Sequence, residues 1–180
     1  MAELSKVSLI LGGARSGKSH YGENLAGESG CHKIYLATGQ AGDAEMVSRI
    51  AAHRERRGAD WQTVEEPLRL VETLEEHCAP GTAVLVDCLT LWLTNVLLEG
   101  LQPEDESERL VAATAGLAGP VIFVSNEVGL GIVPENALAR AFRDHQGRLN
   151  QQLAAVADLV VFMAAGLPMR LKGPGKDQTA

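Results

Sequence analysis

The chain has 180 residues, 46% of them hydrophobic, and a formal net charge of −7. That length predicts about one domain whose core needs no disulfide or structural metal, and the composition sets disorder aside. The acidic balance argues against a broad nucleic-acid surface, which needs a basic excess, but leaves room for a local cationic pocket.

Glu3 and Lys6 precede Val7–Leu11, an apolar run too short for a secretion signal. It reads as a strand buried on both faces. A glycine loop follows, then a predicted helix from Lys18 to about Ala26. Lys33–Ala37 reads as a second strand. Asp43–Arg57 places Met46, Val47, Ile50 and Ala51 at helical spacing and reads as an amphipathic helix. Trp61–Val64 is a short strand candidate. Pro67 suits the first turn of a helix that carries Leu68, Val71, Leu74 and Cys78 on one face. Ala83–Val86 is a buried strand ending at Asp87, and Leu89–Leu98 reads as a helix. Gln102–Gly119 reads as a surface helix, Val121–Val124 as a strand, and Pro134 opens a helical pattern running to about Ala157. Leu159–Met163 is the last strand expected, and Gly173–Ala180 is expected to fray.

Strands alternating with helices predict an α/β fold with a mostly parallel sheet flanked by helices, in a single domain over residues 1–180. Ligands of such sheets bind beyond the carboxyl ends of the strands. That edge is where Gly12–Ser19, Thr38, Asp87 and Ser125–Gly129 should gather. Cys31, Cys78 and Cys88 are odd in number with no C-x-x-C pair, which fits a reducing compartment and argues against disulfides or a zinc site. The longest apolar stretch, Ala83–Leu98, is broken by Asp87, Thr90, Thr94 and Asn95 and is a poor membrane span. A cytoplasmic protein is expected.

Gly12, Gly13, Ala14, Arg15, Ser16, Gly17, Lys18 and Ser19 match G-x-x-x-x-G-K-[ST]. The glycines let successive backbone N–H groups turn toward phosphate oxygens, and the helix that begins here adds its positive end. Lys18 is expected to reach the β and γ phosphates and Ser19 to ligate Mg2+. An apolar strand before the motif and a helix after it are the context such a P-loop requires. Asp87 ends a strand as a Walker-B carboxylate does and would also hold Mg2+; the plainer reading is a helix cap or turn. Asn126-Glu127-Val128-Gly129 lacks the Lys and Asp of an N-K-x-D guanine reader, which counts against a signalling GTPase.

Of His20, His32, His53, His77 and His145, only His53 has suggestive surroundings. Arg49, Arg54, Arg56 and Arg57 crowd it, so its imidazole is expected to stay neutral and nucleophilic. A packing histidine is the competing reading.

The blocks LILGGARSGKS, IYLATGQ, DAEMVSRIAAHRERR, VLVDCLTLWLTN and VSNEVGLGIVPEN, followed by ARAFRDHQGRLNQQLAAVAD, carry a more specific signal. From about Val7 to Met163 the sequence resembles the bifunctional adenosylcobinamide kinase/adenosylcobinamide-phosphate guanylyltransferase family of cobalamin biosynthesis. The resemblance implies two reactions. ATP or GTP phosphorylates adenosylcobinamide, and GMP from GTP is then transferred to that phosphate through a covalent GMP–histidine. His53 occupies the matching place for that histidine. The resemblance also implies nucleotide contacts at Gly12–Ser19, at Leu36, Ala37 and Thr38, at His53, Arg54, Glu55 and Arg56, and at Glu65 and Asp87. Mg2+ is the implied cofactor, ATP and GTP are substrates, and the corrinoid is the partner. A RecA-like fold and a homotrimer are further implications. Asn126–Asn136 reads either as a plain strand-to-helix loop or as a loop contacting corrinoid or nucleotide. Alternatives to the bifunctional enzyme are a P-loop small-molecule kinase without transferase activity and a nucleotide-sensing module without turnover.

Overall fold

The computed structural model describes residues 4–40 and 57–174. The expected helix Asp43–Arg57, apart from Arg57 itself, lies outside the described residues, as does most of the expected fraying tail. The described elements run β1 (Val7–Gly12), α1 (Lys18–Glu28), β2 (His32–Ala37), β3 (Trp61–Glu65), α2 (Leu70–His77) and β4 (Thr82–Asp87). They continue with α3 (Leu89–Leu98), α4 (Pro103–Thr114), β5 (Val121–Asn126), α5 (Ala137–Val156), β6 (Leu159–Ala164) and β7 (Leu167–Lys172).

The seven strands form one sheet in the order β3-β2-β4-β5-β1-β6-β7. All neighbours pair in parallel except β6 and β7. Side chains alternate across it, as strand geometry requires. Leu9, Val84, Val86 and Phe123 face one core, closed by Leu74 of α2, Trp92 and Leu93 of α3, Leu110 of α4 and Leu149 of α5. Ile10, Tyr35, Leu85, Ile122 and Val124 face the other, where α1 contributes Ala26, Tyr21 and Leu25. The burial of β1, β4 and β5 on both faces explains their unbroken apolar runs.

Three helix boundaries depart from the sequence reading. Helix α2 starts at Leu70 because Glu66 Oε1 accepts from the N–H groups of Leu68 and Arg69, both at 2.9 Å, and holds that stretch as a turn. Helix α4 stops at Thr114. Gly116 N donates to Ala113 O at 3.0 Å, and Gly119 N to Cys78 O at 2.9 Å returns the chain to the sheet. Helix α5 starts at Ala137, because Asn136 rather than Pro134 sets its first turn, accepting from Ala139 N at 3.1 Å.

Strand β7 was not expected at all. Its two-residue connection, Ala165-Gly166, has φ of 52° and 81°, the pair of positive values of a type I′ hairpin. Alanine in the first of those positions hides the turn from sequence. Every β7 residue is exposed, so no core pattern marks the strand either.

Candidate active site

The carboxyl ends of the parallel strands meet at one edge. Gly12 is in register with Asn126 on one side and Met163 on the other, and Ala37 with Glu65 and Asp87. The predicted residues Gly12–Ser19, Thr38, Asp87 and Ser125–Gly129 therefore do gather there. Asp87 reaches this edge on β4, which β5 separates from β1.

The loop between β1 and α1 is built for close approach. Gly12 has φ +146°, and a Cβ there would lie 2.5 Å from Met163 O and 2.8 Å from Ser16 Oγ. Only glycine fits such a position. Glu127 N donates to Gly12 O at 3.0 Å, and Gly166 N to Ser16 O at 3.1 Å. The loop is thus held on one side by the segment after β5 and on the other by the unexpected hairpin. Ala14 and Arg15 are exposed at its tip, and Ser16 Oγ is buried with no hydrogen-bond partner among the described residues.

Gly17 precedes α1 with φ 99° and no side-chain cap, and Tyr21 N–H is bonded to Gly17 O at 3.0 Å. The N–H groups ahead of Tyr21 at the helix start have no intrahelical acceptor, which suits an anion. Lys18 is only 7% exposed, and its Nζ donates to Gly13 O at 2.5 Å. Burial lowers its pKa from the ordinary lysine value, and negative charge at Cys88 and Asp87 opposes that shift.

Asp87 does not cap α3, whose N-cap is Cys88, without a side-chain bond. Its Oδ2 accepts instead from Tyr35 Oη at 2.9 Å. Tyr35 lies inside the sheet, and burial, followed by the Asp87 charge, raises its phenol well above the ordinary range. The Arg57 guanidinium sits 3.3 Å from the centre of the Tyr35 ring. Sequence reasoning missed Tyr35 as a site residue. The available signal was a tyrosine in a buried strand, whose hydroxyl must find a partner.

Other expected contacts fall into two groups. Thr38 is buried and bonded to the Cys88 backbone, and Asn95 Nδ2 donates to Thr38 O at 2.9 Å and Pro67 O at 3.0 Å. Ala37 and Glu65 end their strands at the same edge, whereas the Leu36 side chain points into the core. His53, Arg54, Glu55 and Arg56 lie outside the described residues. On the far side, Gln146 Nε2 donates to Ser125 Oγ at 2.9 Å and Asn150 Nδ2 to Asn126 O at 3.2 Å. These bonds anchor the 127–136 loop, which exposes Leu130, Ile132 and Val133.

The donor set fits Mg2+. A Ser19 hydroxyl and one Asp87 carboxylate are hard oxygens, and Mg2+ in nucleotide sites takes one or two carboxylates with the phosphates and water supplying the rest. No group of three or more His, Cys, Asp or Glu able to hold a metal occurs among the described residues. No described helix is long and apolar enough to cross a membrane.

The family described as cobinamide kinase / cobinamide phosphate guanyltransferase matches residues 8–171. The bifunctional adenosylcobalamin biosynthesis protein CobP of Pseudomonas aeruginosa is 53% identical over 167 residues, which is 92% of this chain and 96% of that protein. The Escherichia coli protein CobU of the same description is 41% identical over 179 residues, 91% of this chain and 98% of its own length. Among solved structures, flagellar accessory protein FlaH of Methanocaldococcus jannaschii superposes with a TM-score of 0.53 at 15% identity, over 98% of this chain and 84% of that one. An ATPase of a bacterial type III secretion system gives 0.55 at 13% identity, over 87% and 50%. At these identities the structural likeness concerns the fold alone, and it agrees with the RecA-like sheet expected from sequence.

Proposed function

The chain belongs to the cobinamide kinase / cobinamide phosphate guanyltransferase family, and from that premise we propose that one phosphate cradle, Gly12–Ser19, serves both reactions. The observation that carries this reading is the single glycine loop, with Lys18 Nζ folded back on Gly13 O, at the same sheet edge as Asp87. In the kinase reaction the loop N–H groups and Lys18 hold the γ-phosphoryl group of ATP or GTP while the corrinoid hydroxyl attacks phosphorus. The hydroxyl loses its proton, and the nucleoside diphosphate leaves.

In the transferase reaction the imidazole of His53 attacks the α-phosphorus of GTP. A P–N bond forms, the bond to pyrophosphate breaks, and GMP is held on the histidine. An oxygen of the corrinoid phosphate then attacks the same phosphorus. The P–N bond breaks, and adenosylcobinamide-GDP is released. Mg2+ at Ser19 and Asp87 would neutralise phosphate charge.

Thr38, Ala37 and Glu65, at the ends of β2 and β3, serve the nucleotide side, with Leu36 beneath them as packing, and His53, Arg54, Glu55 and Arg56 are nucleotide contacts by family resemblance. The 127–136 loop, bonded to Gly12 O through Glu127 N and exposing apolar residues, is the corrinoid side. One domain carries both activities, in the reducing cytoplasm that three free thiols suit. A homotrimer belongs to the same reading, and light scattering should then report three times 19.1 kDa.

The test of the shared cradle is Lys18→Ala. Loss of a charge-assisted contact to developing phosphate charge costs about 10²–10³ in rate. Both γ-phosphoryl transfer to the corrinoid and GMP labelling of the protein should fall by that order. A variant that loses one reaction and keeps the other at full rate would mean two separate cradles.

A further inference from the structure

We propose that Tyr35 is a positioning residue that fixes the Asp87 carboxylate for its cation, and that Arg57 holds Tyr35 in place. The proposal rests on the reading of Asp87 as the Mg2+ carboxylate. Tyr35 is in register with Leu85, two residues before Asp87 on the neighbouring strand. Tyr35, Leu85 and Asp87 share one face of the sheet, the face covered by α1. The phenol therefore lies along the sheet and reaches its diagonal neighbour, within the range of a long aromatic side chain. Its hydroxyl donates to Oδ2 at 2.9 Å.

A carboxylate at a strand end turns about two side-chain torsions. One strong donor on Oδ2 fixes its plane and leaves Oδ1 for a cation. Such outer partners orient metal ligands, and their loss costs 10–100-fold in metal affinity or activity. The donor is itself immobile. Tyr35 is 6% exposed, and Trp61 meets its ring edge-on, with centroids 6.3 Å apart and planes at 81°. Arg57 covers the ring face at 3.3 Å.

Arg57 Nε and Nη1 are buried without a hydrogen-bond partner among the described residues. The ring face is the contact that places the guanidinium. A cation over the ring also draws electron density from the phenol and strengthens its O–H as a donor to Asp87. A buried tyrosine needs only some acceptor. Here it takes the carboxylate that ends β4 at the sheet edge carrying the phosphate cradle, which is why the contact points to function rather than packing.

The experiment measures Mn2+ binding to the full chain saturated with a GTP analogue non-cleavable between the α and β phosphates, using the electron paramagnetic resonance signal of free Mn2+. Tyr35→Phe keeps the ring, the Trp61 contact and the Arg57 stack. It should bind Mn2+ about tenfold more weakly, bind the metal-free analogue as before, and keep its Tm. Arg57→Met should weaken Mn2+ binding in the same direction, and Arg57→Lys should restore part of it. Asp87→Asn should weaken it most. If Tyr35→Phe binds Mn2+ like the unaltered chain while Asp87→Asn does not, the phenol is structural and the proposal fails. If Asp87→Asn also binds normally, the reading of Asp87 is at fault and the proposal falls with it. Normal Mn2+ binding by Arg57→Met alone removes Arg57 from it.

Discussion

Thr38 and the backbone of Cys88 exchange two hydrogen bonds: Thr38 Oγ1 donates to Cys88 O at 2.7 Å and accepts from Cys88 N at 2.9 Å. One hydroxyl thus joins the carboxyl ends of β2 and β4, next to Asp87. Thr38→Val keeps the shape and removes both bonds, leaving a buried N–H and C=O without their partner. The expected loss of stability is about 2 kcal/mol, read from urea unfolding, together with slower GMP labelling from a displaced Asp87. Thr38→Ser should retain both properties. Equal stability of the valine and serine variants would show that the staple contributes nothing.

The cradle was legible because it is local. Eight consecutive residues between an apolar run and a helix specify a backbone shape, and that shape appears in place. Asp87 was legible as a polar residue ending an apolar strand. Tyr35 was not, because its partner lies 52 residues away on another strand and only the register of β2 on β4 brings them together. The hairpin that supports Ser16 was hidden for a different reason. Strand β7 buries nothing, and Ala165 stands where asparagine or glycine would have announced the turn. The helix ends moved because Glu66, Asn136 and Gly119 make bonds whose acceptors or donors a periodicity argument does not weigh.

The three thiols should separate by reactivity and pH. Burial pushes Cys78 up to about 11, and burial followed by the Asp87 charge does the same for Cys88, from an ordinary 9.0. Cys31 is partly exposed. A disulfide reagent at pH 8 should titrate one thiol quickly and the other two only in denaturant. Because the folded-state values are raised, the stability these groups contribute is full below about pH 9 and lost as pH rises through about 11. The Tyr35 phenol, also raised, adds to the loss above its ordinary 10.0. Tm should therefore fall between pH 9 and 11, and less steeply in Cys78→Ala. Three equally fast thiols would contradict the burial described.

The apolar residues of the loop bonded to the cradle make a prediction about the corrinoid. Leu130 is 83% and Ile132 98% exposed, while the base of their loop is bonded to Gly12. Covering an isoleucine contributes roughly 1.5–3 kcal/mol. Ile132→Asp should therefore raise the KM for adenosylcobinamide phosphate about tenfold or more. GMP labelling of the protein involves no corrinoid and should proceed at its usual rate, and Tm should hold because the side chain is almost wholly exposed among the described residues. An unchanged corrinoid KM would move that contact elsewhere.

On the proposed reading, His53 is where the two reactions part. The kinase reaction needs a held γ-phosphate and an aimed hydroxyl, and no step in it uses an imidazole. The transferase reaction needs a group that takes GMP from GTP and gives it up again, and a phosphoramidate does both, since nitrogen attacks phosphorus readily and leaves readily once protonated. Two displacements through one enzyme intermediate demand ping-pong kinetics in GTP and adenosylcobinamide phosphate. His53→Ala should abolish incorporation of acid-labile label from α-labelled GTP while leaving substantial phosphorylation of adenosylcobinamide. Lys18→Ala should depress both. That difference between the two variants, measured with GTP as the donor in both reactions, separates a nucleophile from a residue that only binds GTP, because a lost GTP contact would depress the GTP-driven kinase reaction along with labelling. Stable GMP label on the His53→Ala protein, or label mapped to Lys18, would reassign the nucleophile.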